Sequence, residues 1–239
     1  MIKKIFLSII CVVSLISSEL TLMTEDYPPY NFPDKNNQPT GISVDIVRQI
    51  IKHTGDKDNI TILPWARSYH AVLTQKNQVL FVMTRTKQRE KLFKWVGPIT
   101  SNNWVIFAKK DFKGTISSLE QLKDKKYTIG TYKSDACETF LKNNGFENLS
   151  SVPDDILNVK KLINNRIDFW IAGEYQGILR AKRVHKSNKI KKIFNVKDTE
   201  VYIAFSKDVD DKVIKRWQKE LDKLKENGKY QKILDKYLN

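Results

Sequence analysis

Few residues in this sequence are of the kinds that form metal centres or covalent cross-links. Cys11 and Cys137 are the two cysteines among 239 residues, and Cys11 lies in an N-terminal segment that we expect to be removed. An intrachain disulfide is then excluded, and Cys137 is expected to be a small buried helix residue rather than a reactive thiol. His53, His70 and His185 are isolated and lack the spacing of metal ligands. We therefore expect neither a metal nor a cofactor.

Motifs of nucleotide-binding and hydrolytic enzymes are also absent. The sequence contains no G-x-x-x-x-G-K-[ST] phosphate loop and no G-x-S-x-G nucleophile motif. Its formal net charge is +15, but the lysines are spread along the chain, and no basic run is interleaved with aromatic residues. A nucleic-acid-binding surface concentrates such residues on one face. The charge is therefore interpreted as a solvated, lysine-rich surface, and no nucleic-acid partner is expected.

Long apolar runs are scarce, and the longest is at the N-terminus. Two lysines precede the apolar segment 5–16, and Ser17 and Ser18 follow it. This order of charge, apolar segment and small residues predicts a secretory signal peptide over residues 1–18. The run is shorter than the roughly 20 apolar residues that span a membrane. We therefore predict a free protein of the periplasm.

The rest of the chain alternates between strand and helix patterns, which predicts an α/β fold. The predicted strands are Leu20–Thr24, Ile60–Leu63, Val79–Thr84, Trp104–Ala108, Tyr127–Thr131, Ile167–Ile171, Lys192–Val196 and Val201–Phe205. The predicted helices are Ser43–His53, Trp65–Gln75, Thr86–Phe93, Ala136–Asn143, Asp155–Asn164, Glu174–Val184 and Asp210–Asn227, with a short last helix around Tyr230. Strands separated by helices of this length favour mainly parallel sheets.

Residues suited to ligand binding fall into two clusters, one early and one in the middle of the chain. A first lobe of residues 19–100 and 200–239, interrupted by a second lobe of residues 101–199, explains both clusters. The chain would cross between the lobes near Pro98–Asn103 and Lys197–Val201. Ligands of open α/β sheets bind at the carboxyl ends of strands. Two such lobes that face each other predict a cleft.

The strongest local motif follows the apolar run Val79–Met83. Thr86 is predicted to cap a helix there, which places Arg89 in the first turn. The positive end of a helix disfavours a cation unless an anion joins it, and free N–H groups beside a guanidinium form a carboxylate or phosphate site. The pattern is equally consistent with an ion pair between Arg89 and the surface acid Glu90. Local chemistry alone leaves both interpretations open.

Two aromatic clusters follow the first two strand patterns. Tyr27 and Tyr30 flank two prolines in an irregular loop, where their rings suit stacking or a cation–π contact with an ammonium group. Trp65, Arg67 and Tyr69 lie at a strand-to-helix junction. All five side chains are candidate ligand contacts, and packing against the core is the alternative for the aromatic ones.

Together these residues resemble the family 3 extracellular solute-binding proteins, which are the periplasmic components of polar amino acid importers. The resemblance runs from about residue 19 to 239. Its motifs are Tyr27-Pro28-Pro29-Tyr30, Gly41 with Asp45, Pro64-Trp65-x-Arg67, Thr84-x-Thr86-x-x-Arg89, Trp95-Val96-Gly97-Pro98, Ile129-Gly130-Thr131 with Ser134-Asp135, Asn165-Arg166-Ile167-Asp168 and Gly228-x-Tyr230-x-x-Ile233-x-x-x-Tyr237. It implies the two-lobed, type II-like periplasmic-binding-protein fold, in which each lobe is a mainly parallel sheet flanked by helices and two crossover strands form the hinge.

The resemblance also implies roles for particular residues of the first lobe. Arg89 matches the arginine that binds the α-carboxylate of the ligand. Thr84 matches a serine or threonine that contacts the ligand, and Tyr27 matches a stacking aromatic residue. These three are the contacts that the resemblance predicts on this side of the cleft.

In the second lobe the match is less regular. Ser134 belongs to the matching motif, and Asp135 matches a position beside the carboxylate that is commonly threonine or serine. An acid there repels a carboxylate but can receive an amine. The acid that classically binds the amine falls on Gly173. Either Glu174, one position further, substitutes for it, or the solute lacks a standard α-amino group. The departure leaves a carboxylate-bearing solute as the expectation.

The sequence thus predicts a protein that binds and does not catalyse. It is expected to capture a small polar, carboxylate-bearing and amino-acid-like solute by hinge closure, as a monomer, and to deliver it to the membrane permease of an ABC importer. One alternative is a cyclohexadienyl-dehydratase-like enzyme on the same fold, with Asp135 or Glu174 as the acid or base. Another is a ligand-sensing module.

Overall fold

The computed structural model describes residues 19–238, so the predicted signal peptide, with Cys11, and Asn239 lie outside the described residues. The strands are β1 (Thr21–Thr24), β2 (Phe32–Pro33), β3 (Pro39–Thr40), β4 (Thr61–Ile62), β5 (Gln78–Thr84), β6 (Lys94–Ser101), β7 (Trp104–Lys109), β8 (Ile129–Tyr132), β9 (Leu149–Val152), β10 (Phe169–Gly173), β11 (Ile190–Lys197) and β12 (Glu200–Phe205). The α-helices are α1 (Ile42–Thr54), α2 (Trp65–Thr74), α3 (Ala136–Asn143), α4 (Asp155–Ile163), α5 (Glu174–Arg183), α6 (Asp211–Glu226) and α7 (Lys229–Leu238). No helix within residues 19–238 combines the length and the hydropathy of a membrane span.

Two five-stranded sheets form the framework of the molecule. The first has the strand order β4-β1-β5-β12-β6, and the second has the order β11-β7-β10-β8-β9. Within the first sheet β12 is antiparallel to both neighbours, and within the second β7 is antiparallel to both. The other strands of each sheet run in one direction. Helices flank the sheets, so the predicted mainly parallel α/β fold is confirmed.

Apolar periodicity explains how the helices attach to the first sheet. Ile42, Ile46 and Ile50 recur every four residues along α1, and none of them has exposed surface. This spacing puts them on one helix face, which packs onto the core. Trp217 and Leu221 do the same for α6. Because β5 lies inside the sheet and is covered on both faces, its residues are all buried.

The chain crosses between the two sheets twice, and the two crossings run side by side. Strand β6 leads into β7 through residues 102–103, and β11 leads into β12 through residues 198–199. The backbone N–H of Asn102 donates to the carbonyl of Thr199 at 2.7 Å, and the Thr199 hydroxyl donates to the Asn102 carbonyl. In each case the strand that enters the new sheet is the reversed strand of that sheet.

The predicted helix Thr86–Phe93 is wrong, because the structure has turns over this segment. The N–H groups of Arg89 and Glu90 both bond to the Thr86 carbonyl, at 3.0 and 2.9 Å, but the pattern does not continue into a helix. The chain instead enters β6, an eight-residue strand that the sequence analysis did not predict. Thr86 therefore caps no helix, and Arg89 is positioned by a tight turn after β5.

Candidate ligand-binding cleft

A small cavity lies where the two sheets face each other. Strands, turns and loops of the first sheet contribute Glu25, Tyr27, Trp65, Thr84 and Arg89, and the second sheet's side contributes Trp104, Tyr132, Asp135 and Ala136. The cavity measures about 30 Å³, whereas small-molecule pockets usually measure roughly 300–1,000 Å³. Entry of a solute therefore requires the cleft to widen. A groove of about 1150 Å³ adjoins it and shares Thr84, Trp104 and Ala136.

Arg89 is the buried cation of this cavity. It follows β5 by five residues, is 6% exposed, and donates from Nη1 to the Thr84 carbonyl at 3.2 Å. Its guanidinium lies 5.2 Å from the ring centroid of Trp65 and 5.1 Å from that of Tyr69. Burial lowers the pKa of Arg89 from its usual value, although the Tyr69 hydroxyl and the Asp135 carboxyl oppose this.

No carboxylate neutralises this guanidinium within the described part of the chain. Among residues 19–238, no Asp or Glu oxygen lies within 4.0 Å of an Arg89 nitrogen. Glu90, the acid that the sequence offered as a surface partner, pairs instead with Arg85 at 2.6 Å. A guanidinium carries several N–H donors in a planar fork, so donors remain for an anionic group.

The aromatic residues of the cleft connect its two sides. The indole N–H of Trp65 donates to the Ser134 carbonyl at 3.0 Å, which joins α2 to the loop before α3. The Tyr27 ring stacks on Tyr30 with centroids 5.8 Å apart, and the amide of Asn102 donates to the Tyr27 hydroxyl at 3.4 Å. Tyr27 and Trp65 thus line the cavity, whereas Tyr69 contacts the Arg89 guanidinium.

Asp135 faces the cavity from the second sheet's side. It caps α3, because its Oδ1 accepts from the Glu138 N–H at 2.7 Å. Burial raises the pKa of Asp135 to about 7, and repulsion from Asp155 adds to this, whereas the Glu138 N–H and the Arg89 charge lower it. Ser134 is exposed with a φ of 63°, and it contacts Trp65 through its backbone rather than its side chain.

Five predicted site residues do not line the cavity: Tyr69 and Ser134, described above, and Tyr30, Arg67 and Glu174. Tyr30 is buried in the core of the first sheet, where its hydroxyl donates to the Ser101 carbonyl at 2.9 Å. Arg67 is exposed on α2. The Glu174 carboxylate pairs with Lys192 at 2.5 Å. Cys137, expected to be structural, is 2% exposed.

Gly173, on which the resemblance placed the amine-binding acid, lies directly against Asn102 and Tyr27. A Cβ atom added there would lie 2.3 Å from Oδ1 of Asn102 and 2.8 Å from the Tyr27 hydroxyl oxygen. Distances below 3.0 Å are not compatible with a real Cβ contact. The close approach of the two sides at this point therefore leaves no room for a side chain.

Sequence reasoning missed several residues of the cavity. Asn102, Trp104 and Tyr132 lie in strands or crossings whose patterns signal burial but not the cavity. Glu25, two residues before Tyr27, was not predicted as a site residue. It is 6% exposed, and burial raises its pKa to about 8 despite a hydrogen bond from Tyr132 and the attraction of Arg180.

A pair of arginines links the two sides at the edge of the cleft. Arg180 and Arg183 of α5 reach Oδ2 of Asp26 at 3.1 and 2.5 Å. Asp26 lies in the loop after β1, so the contact joins the first sheet's side to a helix of the second. Arg180 also donates to the backbone carbonyl of Asp26. Together with the contact between Trp65 and Ser134, these bonds join the two sides of the cleft.

Comparison with known proteins agrees with this architecture. The model of the bacterial extracellular solute-binding proteins, family 3, matches residues 20–239. The chain belongs to this family.

Individual relatives are more distant. An arginine-binding periplasmic protein of Mannheimia haemolytica is 24% identical over 246 residues, covering 99% of this chain and 98% of that protein. The L-cystine-binding protein TcyJ of Escherichia coli K12 is 27% identical over 105 residues, covering 44% of this chain. The chain thus spans about 40% of the length of this cystine-binding relative.

Solved structures show the same fold at low sequence identity. A histidine kinase sensor domain with similarity to periplasmic binding proteins has a TM-score of 0.85 at 20% identity, covering 93% of this chain and 96% of that one. The predicted two-lobed periplasmic-binding-protein fold is thereby confirmed.

Proposed function

We propose that this protein captures a small carboxylate-bearing, amino-acid-like solute in the cleft and delivers it unchanged to the permease of an ABC importer. It acts in the periplasm as a monomer, after removal of residues 1–18. Residues 19–100 with 200–239 form one lobe, and residues 101–199 form the other. The family assignment and the arginine-binding and cystine-binding relatives support an amino-acid-like solute.

The observation that carries this proposal is the unpaired guanidinium of Arg89. An uncompensated buried charge is strongly unfavourable, because it loses hydration without gaining a partner. Aromatic rings on Trp65 and Tyr69 compensate only in part, since a cation–π contact is weaker than a charge-assisted hydrogen bond. A carboxylate from a bound solute supplies the missing charge. Thr84 also lines the cavity, and its hydroxyl is a further donor for such an anion.

Closure of the cleft follows from where the contacts lie. Arg89 and Tyr27 belong to the first lobe, and Asp135 and Trp104 belong to the second. A solute that touches both lobes binds the closed form better and shifts the population towards it. The two crossings at residues 102–103 and 198–199 are the segments that absorb the change in angle.

The experiment is a thermal-shift screen of the protein, produced without residues 1–18, against the common L-amino acids and non-amino carboxylates. A cognate solute should raise the melting temperature with increasing concentration, since it binds only the folded form. Mass spectrometry should recover that solute chemically unchanged after denaturation. If only solutes without a carboxylate stabilise the protein, or if the recovered solute has been converted, the proposal is wrong.

A further inference from the structure

Glu138 is a buried acid that lies close to the cavity without lining it. It belongs to the first turn of α3 and is 3% exposed, and Asp135, which caps this helix, faces the cavity. The Ser151 hydroxyl of β9 donates to its Oε1, and the ammonium of Lys142 lies 3.1 Å from the same oxygen. Burial opposes ionisation, but hydrogen bonds from Ser151, the Ser134 N–H and Lys142 outweigh it and hold the pKa of Glu138 below its usual value. Glu138 is therefore a carboxylate, and its second oxygen is available to the backbone.

The second oxygen fixes the turn before α3. Oε2 of Glu138 accepts from the Ser134 N–H at 2.5 Å, and the Glu138 N–H donates to Oδ1 of Asp135 at 2.7 Å. In the usual capping box the acid bonds to the N–H of the capping residue itself, whereas here it reaches one residue further back. Ser134 has a φ of 63°, a left-handed conformation that residues other than glycine rarely adopt. The Glu138 carboxylate thus stabilises a backbone conformation of Ser134 that is otherwise unfavourable.

Ser134 in turn connects Glu138 to the opposite side of the cleft. Its carbonyl accepts from the indole N–H of Trp65 at 3.0 Å, and the Trp65 ring lies 5.2 Å from the Arg89 guanidinium. Among residues 19–238, the Ser134 N–H has no acceptor other than Glu138. Loss of that carboxylate removes the bond that fixes Ser134, so its carbonyl can turn away from Trp65.

We propose that Glu138 is a positioning residue for closure of the cleft. By fixing the turn at Ser134 it directs the Ser134 carbonyl to Trp65, and it thereby favours the closed form around the solute. This inference rests on the proposed function, because a solute gains from closure only if both sides of the cleft hold it. Glu138 does not line the cavity, so its effect on binding passes through Ser134 and Trp65.

A double-mutant cycle measured by calorimetry tests this coupling. The probe is the common L-amino acid that raises the melting temperature of the wild type most. Glu138→Ala should weaken its binding by about fivefold or more, which corresponds to the loss of one hydrogen bond. A Trp65→Phe background lacks the indole N–H, so the bond that Glu138 supports is already absent. In that background Glu138→Ala should change binding by less than about twofold.

Two further variants separate this role from a general effect on stability. Glu138→Gln keeps an oxygen for the Ser134 N–H, so it should recover most of the affinity that Glu138→Ala loses. Glu147→Ala is the control, because Glu147 is an exposed acid on the same side of the cleft that pairs with Lys125 at 3.4 Å. It should bind the probe as the wild type does.

The indole N–H signals of proton–nitrogen correlation spectra report the bond itself, with or without a solute. The chain has five tryptophans, and the Trp65 signal is the one that Trp65→Phe deletes. In Glu138→Ala this signal should move towards the position of a free indole, and its proton should exchange faster with water. The signals of the fully buried Trp170 and Trp217 should stay unchanged.

Two outcomes overturn this inference. Equal weakening by Glu138→Ala in both backgrounds would show that its effect does not pass through Trp65, which leaves Glu138 a purely structural role. An unchanged Trp65 signal in Glu138→Ala would show that the carboxylate does not direct the Ser134 carbonyl. If no carboxylate-bearing solute of the screen binds, the proposed function fails, and the Trp65 signal of the solute-free protein then decides whether Glu138 positions this contact.

Discussion

The ion pairs of Asp26 offer a test of closure that does not touch the cavity lining. Asp26→Asn removes the charge that Arg180 and Arg183 share but keeps the shape of the side chain. Because Arg180 still donates to the backbone carbonyl of Asp26, the perturbation is confined to electrostatics. The contact joins the two sides of the cleft, so its loss should destabilise the closed form and not the individual lobes.

The magnitude follows from the burial of the partners. The side chain of Arg180 is 8% exposed, whereas those of Asp26 and Arg183 are both 32% exposed. Fully exposed ion pairs contribute roughly 0.2–1 kcal/mol, and breaking a fully buried pair costs roughly 3–5 kcal/mol. Solvent screens Asp26 and Arg183, so we expect the contact to stabilise the closed form by about 1–2 kcal/mol, which lies between these two ranges. Apparent affinity scales with the closed fraction, so the solute should bind about 5- to 30-fold more weakly where the open form predominates.

Calorimetry with the best solute of the screen measures this loss. Asp58→Asn is the control, because Asp58 forms an exposed ion pair with Arg48 at 2.8 Å on the first lobe. Both variants should melt within a few degrees of the wild type, since neither enters a core. An Asp26→Asn variant whose affinity stays within twofold of the Asp58→Asn control would refute the reasoning.

Two further predictions concern the cavity itself. Burial raises the pKa of Glu25 from 4.5 to about 8, so the folded chain binds a proton there that the unfolded chain has lost. The groups that face Glu25 are Tyr132, Arg180, Asp135 and Asp155. The free energy of unfolding should therefore fall as the pH rises from about 4.5 to about 8, and Glu25→Gln should remove part of that fall. Chemical denaturation at several pH values measures this, and identical pH profiles for the variant and the wild type would contradict a protonated Glu25. Gly173→Ala should block closure, because the added Cβ would lie 2.3 Å from Asn102 Oδ1. We expect calorimetry to show solute binding weakened by about 1–3 kcal/mol. Unchanged binding would show that the cleft does not close at this point.

The sequence was sufficient for the framework because its elements have strong local patterns. The apolar spacing of Ile42, Ile46 and Ile50 and the continuous apolar run of β5 depend on helix and strand geometry alone. The order of these elements then implied two sheets with two crossings. Strand β6 was not predicted, because Gly97 and Pro98 interrupt its pattern.

The chemistry of the cleft could be predicted only where a motif marked it. Arg89 was identified as an anion-binding residue, but its predicted setting at a helix start was wrong, and tertiary packing on Trp65 and Tyr69 positions it instead. Glu25 carries no local sign of burial, since an acid in a polar loop after a strand is usually solvated. In the folded chain it is buried, and Tyr132 of the second sheet hydrogen-bonds to it. Residues such as this depend on contacts between distant segments, which local patterns do not encode.

The most direct test of the account is a calorimetric comparison of the wild type with Arg89→Ala, using the best solute of the screen. Removing the cation should weaken binding by about 2–5 kcal/mol, which corresponds to roughly 30-fold or more, because the carboxylate would be left without its partner. Arg48→Ala, which loses the pair with Asp58 and a hydrogen bond to the Pro39 carbonyl away from the cavity, should bind as the wild type does. An Arg89→Ala variant that folds and binds within threefold of the wild type would contradict the central claim that this guanidinium holds the carboxylate of the solute.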